Sequence, residues 1–141
     1  MREIKFRALK DDMSNCNFVY GQLIYKIEPL SGNKYPAITT DGETYHSCLP
    51  KTEGQFTGLI DKNGNEIYEG DIVKQEWSTP YYGKYFQMSD SVNDHELIIQ
   101  IVFHANRWMG IKKDGKYDNI ISKGTLEVIS NIHENPELLN N

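Results

Sequence analysis

A chain of 141 residues, 38% hydrophobic and 25% charged, has the size and balance of one globular domain, and its nine Tyr, five Phe and two Trp exclude a disordered tract. A net charge of −5 gives the chain no global electrostatic draw toward a phosphate backbone, which argues against sequence-independent coating of DNA and leaves room for local basic patches. No apolar run approaches the ~20 residues of a membrane span, and the charged opening Met1-Arg2-Glu3-Ile4-Lys5-Phe6-Arg7 does not read as a secretion signal.

Cys16 and Cys48 are the only cysteines and form no Cys-x-x-Cys pair. Two free thiols in a reducing cytoplasm are therefore expected, with neither a disulfide nor a metal.

Along the chain, short β-like runs alternate with Gly, Asn and Asp turns. Ile4, Phe6 and Ala8 alternate with Lys5 and Arg7, the period of a half-buried strand. A loop at Asp11–Asn15 leads to a second strand over Phe18–Ile27, rich in aromatic and β-branched residues. After a turn at Ser31-Gly32-Asn33, residues 35–40 run back as a strand that Pro36 places on an edge or breaks. Residues 43–55 show no clear period and are left unassigned.

Asn63-Gly64 suits the positive φ values of a two-residue type I′ hairpin, and Gly70-Asp71 makes a corner before a buried strand at Ile72-Val73. Asn63, Gly64, Gly70 and Asp71 are thus read as structural turn positions. The polar, aromatic stretch from Ser78 to Asp94 reads as a long excursion and not as a core element. Residues 96–103, nearly all apolar, are a central strand. Turns at Ala105-Asn106 and Asp114-Gly115 and a last strand through Leu126, Val128 and Ile129 follow. Asn135-Pro136-Glu137 opens a short helical turn.

Three segments carry a family resemblance. They are Arg2-Glu3-Ile4-Lys5-Phe6-Arg7-Ala8, the run from Phe56 to Val73 around Asp61-Lys62-Asn63-Gly64-Asn65, and the closing run from Leu126 to Leu139. In this order they resemble the YopX-like family of phage and prophage proteins. Leu9 stands where that family shows Trp, and Ser130 where it shows a small residue, often Gly. The resemblance implies a mainly β fold with a small SH3-like barrel, carriage on phages or prophages, and no catalytic motif. On that basis residues 1–141 form one domain: a β extension over 1–53, and a barrel over 54–135 interrupted by the 78–94 excursion.

Sites for chemistry are weak. His46 and Cys48 would share one face of a strand as half of a zinc site, but no second pair has metal-ligand spacing. Glu66, Glu69 and Asp71 cluster by the Gly70 corner, where turn capping by Asp71, with Glu66 and Glu69 solvated, explains them better than acid–base or divalent-metal work does. No catalytic, cofactor or metal site is assigned. Trp77, Tyr81, Tyr82, Tyr85 and Phe86 are the candidate interaction surface, since Tyr and Trp pair an apolar body with a hydrogen-bonding tip.

The first reading is a noncatalytic module that contacts a protein partner or a second copy. A nucleic-acid-binding β-barrel, drawing also on Arg107, Trp108, Lys112, Lys113 and Lys116, ranks second. An enzyme ranks third.

Overall fold

The structure is a computed structural model. It describes residues 4–11, 17–82, 88–120 and 125–140, with the backbone alone over 78–82, 88–95 and 140. Eleven strands and one short 3-10 helix at Pro136–Asn140 make the described residues mainly β. The strands form two antiparallel sheets and not a closed barrel, which corrects the barrel implied by the resemblance. The chain divides into two compact units: Met1–Leu59 with Glu66–Glu69, and Ile60–Asn65 with Gly70–Asn141.

The first unit holds β1 (Phe6–Leu9), β2 (Phe18–Ile27), β3 (Lys34–Thr39), β4 (His46–Ser47), all but the last residue of β5 (Gly54–Ile60), and β6 (Glu66–Tyr68). They run in the order β4-β3-β2-β1-β5-β6. β2 divides its length between two neighbours: Phe18–Gly21 pair with β1, and Gln22–Ile27 pair with β3. Gly21 sits at the junction with φ of 149°, and a Cβ there would lie 2.1 Å from the Thr39 carbonyl oxygen. The sheet can turn there because no side chain intervenes.

One face of this sheet is apolar. Ala8, Ile38 and Cys48 are fully buried there, with Phe6, Val19 and Leu23 packed against them. Pro36 neither ends β3 nor leaves it on the edge, as the sequence suggested. It pairs opposite Tyr25, and its carbonyl accepts the Cys48 amide at 2.9 Å. β4, only two residues long, is what covers β3, and so brief a strand leaves no periodicity to read.

The second unit builds on β7 (Asp71–Tyr82), β8 (Met88–His104), β9 (Arg107–Ile111), β10 (Tyr117–Asn119) and β11 (Thr125–Asn131), in the order β10-β9-β8-β7-β11. Ile72, Val73, Ile99 and Ile101 are fully buried. β8 and β9 meet through Ala105 (φ 52°) and Asn106 (φ 63°), with His104 opposite Arg107. This is the two-residue turn with both central residues at positive φ that defines type I′.

At Asn63-Gly64 the turn differs from the type I′ form expected. Only Gly64, at φ 88°, is left-handed, and the amide of Gly64 donates to the Asp61 carbonyl at 3.1 Å while Asp61 N–H reaches Asn65 O at 2.8 Å. This is a three-residue loop, a turn followed by one left-handed residue. The Asp61 side chain replaces the second positive-φ residue as the organising element. Residues 112–116 close β9 to β10 in the same way, with Gly115 at φ 82° and an Lys112 N–H to Lys116 O bond of 3.0 Å.

The expected excursion over Ser78–Asp94 is strand on both sides. β7 and β8 stay in register from Ile72↔Gln100 out to Tyr82↔Met88, with an irregularity between Pro80 and Tyr82. A two-stranded ribbon is held by main-chain bonds and needs no apolar run, so its polar sequence disguised it.

Candidate functional site

The β7–β8 hairpin is wider than the sheet it belongs to. β11 accompanies β7 only over Asp71–Glu76, and β9 accompanies β8 only over Gln100–His104. From Ser78↔Asp94 outward, through Thr79↔Asn93 and Pro80↔Val92, the two strands pair only with each other among the described residues. The outer main-chain edges of such a ribbon present amides and carbonyls to whatever lies beside them. Pro80 lacks an amide hydrogen, which suits an edge and is tolerated at a bulge.

Three of the candidate surface residues lie on β7. Trp77 is half-buried at its base, opposite His95. Tyr81 and Tyr82 end β7, where the backbone alone is described. Tyr85 and Phe86 lie outside the described residues, as does Cys16. Among the turn positions, Gly70 has φ of 92°, its amide donates to the Ile101 carbonyl at 2.9 Å, and its own carbonyl accepts the Ile132 amide at 2.9 Å. Asp71 is buried at the start of β7, opposite Asn131.

Asp61 organises its loop through four hydrogen bonds. It is 5% exposed, and its Oδ1 accepts the amides of Asn63 (2.9 Å) and Asn65 (2.8 Å). Its Oδ2 accepts the Val128 amide of β11 at 3.0 Å and the Asn65 side-chain amide at 3.4 Å. Burial raises the carboxyl pKa, but those donors together outweigh it and hold the group below its ordinary value. The loop is thereby fastened to β11, with Lys62 N–H also reaching the Leu126 carbonyl at 2.9 Å.

The first unit contains a cluster that sequence reading missed. The Arg7 guanidinium, on a residue only 6% exposed, lies 4.2 Å from the Phe18 ring centre and 4.9 Å from that of Tyr68. Tyr68 also meets Tyr20 and Phe56, with ring centres 5.4 and 5.5 Å away. Its hydroxyl donates to Glu66 Oε1 at 3.0 Å, and Lys5 Nζ donates to Glu66 Oε2 at 2.6 Å. Burial first, and then the adjacent Glu66 carboxylate, push the Tyr68 phenol well above its usual range. The neutral, hydrogen-bonding form of the phenol is thereby favoured.

Alternation at positions 4–8 puts Lys5 and Arg7 on one side of the chain, yet nothing in their spacing announces the rings they meet. Glu66, one of the three clustered acids, is committed to Lys5 and Tyr68. Glu69 is half-buried, and that burial raises its pKa. Cys48 is a free thiol, fully buried; burial pushes its pKa up, and Sγ donates to the His46 carbonyl at 3.3 Å. A thiol so placed is a poor nucleophile. Among the described residues no three His, Cys, Asp or Glu side chains gather as a metal site would require. Nor does any helix among them have the length and apolarity to cross a membrane.

The chain is similar to a solved structure, that of protein EF1440 from Enterococcus faecalis, at 24% identity over 99% of each chain and a TM-score of 0.49. No curated protein matches it. The family described as YopX protein matches residues 5–140, essentially the whole length. The chain belongs to the YopX protein family.

Proposed function

We propose that the chain is a noncatalytic interaction module whose contact element is the outer β7–β8 ribbon. The observation that supports this is the pairing register. Beyond Ser78↔Asp94 the hairpin continues without a third strand on either side among the described residues. An isolated two-stranded hairpin is at best marginally stable in water, so one of this length gains from a neighbour. An added strand would take up its main-chain groups, and aromatic side chains would supply burial. The aromatic residues of this stretch, Trp77, Tyr81, Tyr82, Tyr85 and Phe86, are of the kinds that protein interfaces favour. Carriage on a phage or prophage, and action in the cytoplasm of its bacterial host, belong to the same proposal and rest on the family resemblance.

The double variant Tyr81→Ser, Tyr82→Ser tests the role of the rings. Its melting temperature should stay within about 3 °C of the parent, a shift that corresponds to less than ~1 kcal/mol in a domain of this size. Its self-association in sedimentation, or its capture of a partner from host lysate, should weaken at least tenfold. A large fall in melting temperature with unchanged assembly would assign the rings to the protein's own packing instead.

A further inference from the structure

We propose a second binding site, on the β9–β10 hairpin of the second unit, that takes single-stranded nucleic acid. His104 and Tyr117 stack there with ring centres 3.8 Å apart and planes 9° from parallel. Register places both on one face: His104 is opposite Arg107, Tyr117 is opposite Ile111, and residues 107, 109 and 111 alternate to the same side of β9. Met109, on that face, is 6% exposed, yet Tyr117 keeps 46% of its surface in solvent and His104 is exposed as well. An exposed pair of parallel rings on a sheet is a platform on which a base can continue the stack.

The charge around it is the second observation. Residues 104–119 carry Arg107, Lys112, Lys113 and Lys116 against two acids, Asp114 and Asp118, in a chain whose net charge is −5. Arg107, Lys113 and Lys116 are exposed, and Lys112 is half-buried. Asp114 accepts the Lys116 amide at 2.9 Å and keeps its charge, so the cations outnumber the acids by two on this hairpin. A locally basic hairpin on an acidic protein selects for a polyanion at this place and repels it elsewhere. Phosphates would meet the cations and a base would stack on the pair, the combination that single-strand binders use.

The rings that supply the stack are not the ones a sequence search favours. Trp108 is half-buried and packs edge-on against Phe103 at 5.0 Å, and its indole nitrogen is buried with no hydrogen-bond partner among the described residues. Its ring is spent on the opposite side of the sheet, where it alternates away from Arg107 and Met109.

Fluorescence anisotropy of a labelled oligothymidine of about 12 nucleotides, within the ~4–16-nucleotide range of single-strand sites, tests this. Binding should be measurable at low salt and should weaken with a log–log slope near −0.7 per phosphate contacted. Tyr117→Ala should weaken it roughly ten- to a hundredfold, and Tyr117→Trp should restore it. The pair Arg107→Gln, Lys116→Gln should lower the slope while the melting temperature holds.

The proposal is overturned if the parent chain does not bind. It is equally overturned if Tyr117→Ala binds as tightly as the parent, or if polyglutamate competes as well as unlabelled oligothymidine. That last result would make the hairpin a docking site for an acidic peptide. The ribbon variant Tyr81→Ser, Tyr82→Ser should bind oligothymidine like the parent, so this proposal and the ribbon proposal stand or fall separately.

Discussion

Gly21→Ala should cost about 3 kcal/mol or more, at the top of the ~1–3 kcal/mol usual for an overpacked side chain. Two independent penalties meet at that residue. Its φ of 149° is one that L residues rarely adopt, and the added methyl would overlap the Thr39 carbonyl oxygen at 2.1 Å. The obstacle is main chain, so no side-chain rotation relieves it. Relief requires that β3 move off β2, which breaks the Gln22↔Thr39 and Leu23↔Ile38 pairs. Gly32→Ala provides the comparison, since Gly32 also has positive φ (74°) but nothing within 4 Å of its Cβ position. It should cost only the ~1–2 kcal/mol of a left-handed alanine. Chemical denaturation of both variants checks the difference, and equal losses would show that Gly21 matters for its φ alone.

Asp61→Asn is the second large effect, expected at about 2–4 kcal/mol from lost charge-assisted bonds and a stranded buried donor. The amide oxygen of Asn can still accept from Asn63 and Asn65. Its NH2 group, however, would face the Val128 amide and the Asn65 side-chain amide donor against donor, so both lose their acceptor. The loop would lose its hold on β11. Acid should reproduce part of this loss. The folded carboxyl has a lowered pKa, so its stabilisation is complete above the unfolded value near ~4 and disappears as pH falls through the folded value. The parent chain should therefore lose stability in that acidic window, and Asp61→Asn should show a shallower loss there. A variant with the parent's full acid sensitivity would place the titrating group elsewhere.

Legibility from sequence followed the source of each feature's energy. Strands held by apolar burial, such as β8 around Ile99 and Ile101, announce themselves through β-branched runs. The Gly64 and Gly70 turns are visible because positive φ narrows the choice of residue. The outer ribbon was hidden because main-chain bonding leaves no hydrophobic period. The Arg7 cluster was hidden for another reason: Phe18, Phe56 and Tyr68 are brought to it by strand order, which no local window contains. Asp61 carried no role of its own in the sequence reading, because its bond to Val128 spans 67 positions and belongs to the tertiary fold. Of the candidate contact surface, the residue types were legible and the strand that carries Tyr81 and Tyr82 was not.

Shortening the ribbon tests the central functional claim most directly. Residues 79–93 can be replaced by an Asn-Gly turn, leaving Ser78 and Asp94 as its flanks. Every pairing of β11 with β7 and of β9 with β8 lies outside the deleted segment. The account predicts that the shortened chain keeps a cooperative unfolding transition and a melting temperature near the parent's, while self-association and partner capture are lost in sedimentation and pull-down. A shortened chain that assembles and captures the same proteins as the parent would contradict it.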